Sequence, residues 1–100
     1  MSENKFTKTV ELNKPLEIDN KKIDKIELNY ESMTGADILA IDMELRALGV
    51  TTGFSTIHNH DALLLLSSRA SGIIADDLRK LNAVDFLEVI MTTRNFFIGL

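Results

Sequence analysis

Leu16-Glu17-Ile18-Asp19-Asn20-Lys21-Lys22-Ile23 sets two apolar-polar alternations on either side of an Asp-Asn pair. Period-two alternation marks a strand with one buried face, and Asp and Asn tolerate the left-handed backbone that a tight turn needs. The stretch therefore reads as a β-hairpin. Upstream, Phe6, Val10 and Leu12 lie among Thr, Lys and Glu, and downstream Ile23, Ile26 and Leu28 lead to Tyr30. The step from Ile23 to Ile26 breaks the period and predicts a bulge or a late strand start there. Pro15, the only proline, lacks a ladder donor and belongs at an edge or a strand start.

After Ser32 the period lengthens to that of a helix. Thr34-Gly35-Ala36-Asp37 has the form of an N-terminal cap, with a helix running to about Leu48 and stopping at Gly49. A loop, VTTGFST, precedes a second helix from about Asn59 to Ser71, which ends at Gly72. Residues 76–81 read as a short helical turn. Asn82 with Asp85 caps a last helix that continues to about Phe97. Strands followed by three or four helices define an α+β domain. The chain is one domain over residues 1–100, with a hairpin region over 5–31 and a helical region over 34–98.

Composition narrows the function classes. The 100 residues are 45% apolar and 26% charged, ordinary for a globular chain. Cysteine is absent, which excludes disulfides, thiolate metal sites and cysteine nucleophiles and agrees with a reducing cytoplasm. Six of seven lysines lie in residues 1–31 beside seven acids, and the net charge is −4, which disfavours nucleic acid as a partner. No apolar run reaches the ~20 residues of a membrane span, and the charged start MSENKFTKTVE lacks a signal-type apolar stretch.

His58-Asn59-His60-Asp61 invites a metal or nuclease reading. Two histidines sharing a metal on a helix stand four apart, whereas two apart they diverge by about 200°. A helix start explains the letters better: Asn59 caps, and Asp61 sits in the first turn where the dipole favours a carboxylate. Ser67 and Ser68 lack a nucleophile elbow, Asp76-Asp77 diverge on a helix, and the glycines never cluster into a phosphate cradle. The expectation is a non-enzymatic protein without cofactor or metal.

The helices carry the positive signal. In the last one, Asp85, Glu88, Thr92 and Asn95 form a narrow polar stripe, and the apolar arc of roughly 220° exceeds what one core-facing stripe needs. Arg94 falls inside that arc. The first helix has two apolar stripes: Ile38, Ile41, Leu45 and Leu48, and then Ala36, Leu39, Ala40, Met43 and Ala47. The run of leucines at 63–66 is apolar almost all round. Such an excess implies self-association or capture of an amphipathic helix. The residues nominated for partner contact are Ile38, Ile41, Leu45, Leu48, Phe86, Ile90, Arg94 and Phe97.

Several short stretches resemble one group: Leu12-Asn13-Lys14-Pro15-Leu16, Ile26-Glu27-Leu28, Thr34-Gly35-Ala36-Asp37-Ile38-Leu39, Ser71-Gly72-Ile73, Asp77-Leu78-Arg79-Lys80-Leu81, Asn82-Ala83-Val84-Asp85-Phe86 and Asn95-Phe96-Phe97. Together they look like the phage tail assembly chaperones, the small Mu-like and prophage tail proteins encoded just before the tape measure gene. The resemblance spans residues 10–98, and the segment VTTGFST-IHNH departs from it. It implies a chaperone that coats the helical, aggregation-prone tape measure protein in the host cytoplasm while tail tube subunits polymerise around it. Many members are also made in a longer, frameshifted form. The alternatives from another class are a structural phage protein or a small helical dimerising module.

Overall fold

A computed structural model of the chain describes residues 6–47 and 60–98. In these the order is β1 (Thr7–Ile18), β2 (Lys21–Asn29), α1 (Gly35–Ala47), α2 (His60–Ser71), α3 (Ala75–Leu78) and α4 (Ala83–Ile98). The expected α+β arrangement is found: an antiparallel two-stranded sheet followed by four helices. Leu48, Gly49, His58 and Asn59, and with them the expected cap and stop residues, lie outside the described residues.

The hairpin closes through Asp19 (φ 51°) and Asn20 (φ 65°). Positive φ at both central residues makes the two-residue loop of the primed kind, whose twist matches the strands it joins. The ladder pairs Val10 with Ile26 and Glu11 with Lys25, then resumes with Leu16 opposite Ile23. Six residues of advance on β1 thus face three on β2. The irregularity expected between Ile23 and Ile26 exists, but its additional residues lie on β1, at 12–15, and β2 runs without interruption. Pro15 sits in that bulge, where no ladder donor is required of it.

One face of the hairpin, with Val10, Leu16, Ile26, Leu28 and Tyr30, is buried against Leu64 and Ala70 of α2, Leu78 of α3, Leu81 in the turn that follows it, and Val89 of α4. A second cluster joins Ile41 and Leu45 of α1 to Ala62, Leu63 and Leu66 of α2 and Ile90 of α4. Helix α2 contributes to both clusters. A helix that lies between two layers is apolar nearly all round for that reason alone, so Leu63, Leu64 and Leu66 fill this domain's own core and Leu65 is half-buried against it.

Local chemistry sets the ends of the helices. The Thr34 N–H donates to Asp37 Oδ2 at 2.9 Å, the carboxylate half of the capping pair expected at α1. Arg69 of α2 ties α2 to α1, donating from Nη1 to Asp37 at 2.9 Å and from Nη2 to Glu44 at 3.1 Å. Gly72 ends α2 at φ 76°, a backbone conformation that costs glycine nothing. Asp76 and Asp77, the adjacent acids at the start of α3, pair with Arg79 at 2.6 Å and Lys80 at 3.2 Å.

Candidate functional site

The start of α4 shows how the hairpin and helices are locked together. Asn82 Oδ1 accepts the Asp85 N–H at 2.8 Å, as a capping residue should. The Asp85 side chain turns away from that cap. Its Oδ1 accepts the Asn13 N–H at 2.9 Å and Asn13 Nδ2 at 3.0 Å, and its Oδ2 accepts the Lys14 N–H at 3.0 Å. The two main-chain N–H groups among them are donors that the bulge of β1 frees from the ladder. Asp85 was expected on a polar stripe with Glu88, Thr92 and Asn95, but no part of it is exposed. The Asn13 N–H, ahead of the opposing effect of burial, holds its carboxyl below the ordinary carboxylate range.

A second buried polar group lies nearer the other end of α4. Thr93 Oγ1 is 3.0 Å from the Tyr30 hydroxyl and 2.8 Å from Ser67 Oγ, joining β2's end, α4 and α2. Burial, offset in part by Thr93, pushes the Tyr30 hydroxyl up to about 12. Phe96 stacks on Tyr30 with centroids 4.1 Å apart, and Phe97 meets it edge-on at 5.6 Å. Both polar groups are satisfied and closed to solvent. Their chemistry is that of assembly of the fold.

The nominated contact residues divide. Ile41, Leu45 and Ile90 are buried in the second core cluster, where the domain's own helices cover them. Ile38, Phe86 and Phe97 are half-buried and pack against that cluster. Arg94 is half-buried, with Nη1 3.7 Å from Met91 Sδ. Leu48 lies outside the described residues. The correction is physical: of two apolar stripes on α1, the one rich in Ile and Leu hides more area per residue and takes the core.

The stripe left outside is the other one. Leu39 is 65% exposed and Met43 68%, while on α4 Val84 is 65%, Leu87 44% and Ile98 49% exposed. Leu39 and Met43 stand four apart, and Val84 and Leu87 three apart with Ile98 eleven residues, about three turns, further on, so each set forms one outer face. Sequence spacing detected both faces without telling inner from outer. The larger number of alanines and the methionine in the second α1 stripe were the available signal.

Among the described residues no group of three or more His, Cys, Asp or Glu side chains is placed to hold a metal. His60 opens α2 and is exposed. A shallow groove between residues 14–17 and 80–82 carries Lys14 and Glu17 on one wall and Lys80, already paired with Asp77, on the other. No described helix is long and apolar enough to cross a membrane. No protein-family model, curated protein or solved structure matches the chain.

Proposed function

We propose that this protein is a phage tail assembly chaperone. In this reading it works in the cytoplasm of the infected host, without catalysis or cofactor. It binds amphipathic helices of the tape measure protein, keeps them soluble while the tail tube forms around them, and associates with its own kind. One observation supports the reading above the rest: with the domain folded and its core filled, α1 and α4 still present Leu39, Met43, Val84, Leu87 and Ile98 to solvent. Exposed apolar faces of this kind on a small domain are those of an interaction surface. The resemblance over residues 10–98 supplies the identity of the partner.

The test is co-expression with the long helical protein encoded beside it, read by the solubility of that protein and by light-scattering mass. Many copies of this chain on a partner that is insoluble alone is the expected result. Leu39→Glu with Met43→Glu should return the partner to the pellet while the variant itself stays folded. A partner equally insoluble with and without the unmodified chain would sink the proposal.

A further inference from the structure

The two edges of the hairpin differ. Pro15 and the bulge interrupt β1, and the Asn13 and Lys14 N–H groups there are taken by Asp85. β2 runs from Lys21 to Asn29 without a proline. In an antiparallel pair, residues that exchange main-chain hydrogen bonds alternate with residues that turn theirs away. The Tyr30 N–H donates to the Phe6 carbonyl at 2.8 Å, which sets that phase from one end: Leu28 and Ile26 bond to β1, and Glu27 and Lys25 turn outward. The Asp19-Asn20 turn sets it from the other end: Lys21 and Ile23 bond to β1, and Lys22 and Asp24 turn outward. The register shift lies between these two arms. Among the described residues no hydrogen bond from outside the hairpin reaches the main chain of Lys22, Asp24, Lys25 or Glu27, and none of their side chains is held in an ion pair.

We propose that the β2 edge pairs with the β2 edge of a second copy, antiparallel, about a two-fold axis between Asp24 and Lys25. The inference goes beyond the chaperone reading, because it stands on the hairpin and uses none of the exposed apolar residues of α1 and α4. Such a pairing must join outward residues to outward residues and keep the buried face level with the buried face. An axis between Asp24 and Lys25 does both. Lys22 then faces Glu27 of the second copy, Ile23 faces its Ile26 and Asp24 faces its Lys25, each pair occurring twice. The rows of the hairpin continue across the axis. Leu16 and Ile23 lead to Ile26 and Val10 of the second copy, an apolar row that covers the half-buried Ile23. Glu17 and Lys22 lead to its Glu27, a row of alternating sign on the exposed face. Neighbouring registers fail: centred on Asp24 the strands set that carboxylate against its equivalent, and centred on Lys25 they oppose two lysines and set Ile23 against Glu27. Lysines on an edge ordinarily keep other strands away. Here Lys22 and Lys25 each meet a carboxylate, and this complementarity of β2 to itself makes a second copy the occupant.

The chain has no cysteine, so single cysteines can report the pairing cleanly. Under mild oxidation Lys22→Cys and Glu27→Cys should form a disulfide when mixed, because Cα atoms directly opposite each other stand ~5.5 Å apart. Neither should link to itself, since five residues along the strand separate identical positions by ~17 Å. The unmodified chain should show twice its monomer mass in light scattering. Lys22→Glu sets like charges opposite each other at two places and should weaken the pairing about tenfold. Glu27→Pro removes an outward N–H and no bond to β1, so it should halve the mass while the circular dichroism stays that of the unmodified chain. A monomeric mass for the unmodified chain overturns the proposal, and so does Lys22→Cys linking to itself as readily as to Glu27→Cys. Co-expression separates this inference from the chaperone reading. If the tape measure protein stays insoluble while the mixed cysteines still link, the chaperone reading falls and the pairing stands; a chain that dissolves it yet weighs as a monomer does the reverse.

Discussion

Asp85 on the first turn of α4 accepts the backbone N–H of Asn13 at 2.9 Å, across 72 residues of sequence. A β-bulge frees main-chain donors, and burial makes an unmet donor costly. Asp85 meets two of them, the Asn13 and Lys14 N–H, together with the Asn13 side-chain amide. Asp85→Asn keeps the shape but loses the charge and turns one acceptor into a donor facing donors. It should destabilise the fold more than Glu88→Gln, which changes an exposed residue of the same helix. Urea denaturation of the two variants side by side checks this, and equal midpoints would contradict it.

The same carboxylate makes stability depend on acid. Its pKa lies below the ordinary range because the Asn13 N–H favours the charged form. Asp37 is shifted the same way, chiefly by the Thr34 N–H. For a depressed carboxylate the unfolded chain takes up its proton first as pH falls. The contribution is therefore whole above the unfolded value of ~3.9 and drains away below it. Stability measured from pH 6 downward should fall beneath about pH 4, and the fall should be shallower in Asp85→Asn.

Tyr30 makes the opposite prediction at the alkaline end. It is the only tyrosine, so ultraviolet absorbance follows its ionisation alone. Burial favours the neutral phenol and pushes its pKa up to about 12. The unfolded chain loses that proton near 10, so stability should fall as pH rises from ~10 toward 12. A tyrosinate signal already half developed at about pH 10 in the folded protein would show the hydroxyl to be exposed. Thr93→Val removes the partner of both Tyr30 and Ser67 and leaves two buried hydroxyls short of a bond, at a cost of roughly 1–3 kcal/mol. Tyr30→Phe removes one bond together with one of the two hydroxyls that make it and should cost about 0.5–1.5 kcal/mol.

Local signals carried the outline of this fold and long-range ones did not. The Asp19-Asn20 turn, the change of period after Ser32 and the stop at Gly72 each depend on a few adjacent residues, and each is where the spacing put it. The odd step from Ile23 to Ile26 correctly recorded a bulge. It could not say which strand held the additional residues, because one strand shows only the phase shift and not its origin. Asp85 lies three residues after Asn82, a spacing that fits a local capping pair, and nothing near it points to Asn13. The α1 stripes were both visible, but the choice of inner face depends on α2 and α4, which no α1 residue encodes.

That choice of face is open to a direct experiment. The sequence alone makes Ile41→Glu and Ile90→Glu lesions of partner binding. The structure puts both side chains in the core with no exposed surface, so a carboxylate there has no partner and should unfold the domain. The milder Ile41→Ala and Ile90→Ala should each cost about 2–5 kcal/mol through lost burial and the cavity left behind. Leu39→Glu and Met43→Glu lie on the outer face and should change stability by no more than about 0.5 kcal/mol, while assembly and partner solubility suffer. Thermal melts of the four variants, set beside their mass in solution, separate the two classes. Were Ile90→Ala to melt with the unmodified protein while Met43→Glu unfolded, the inner and outer faces assigned to these helices would have to be exchanged.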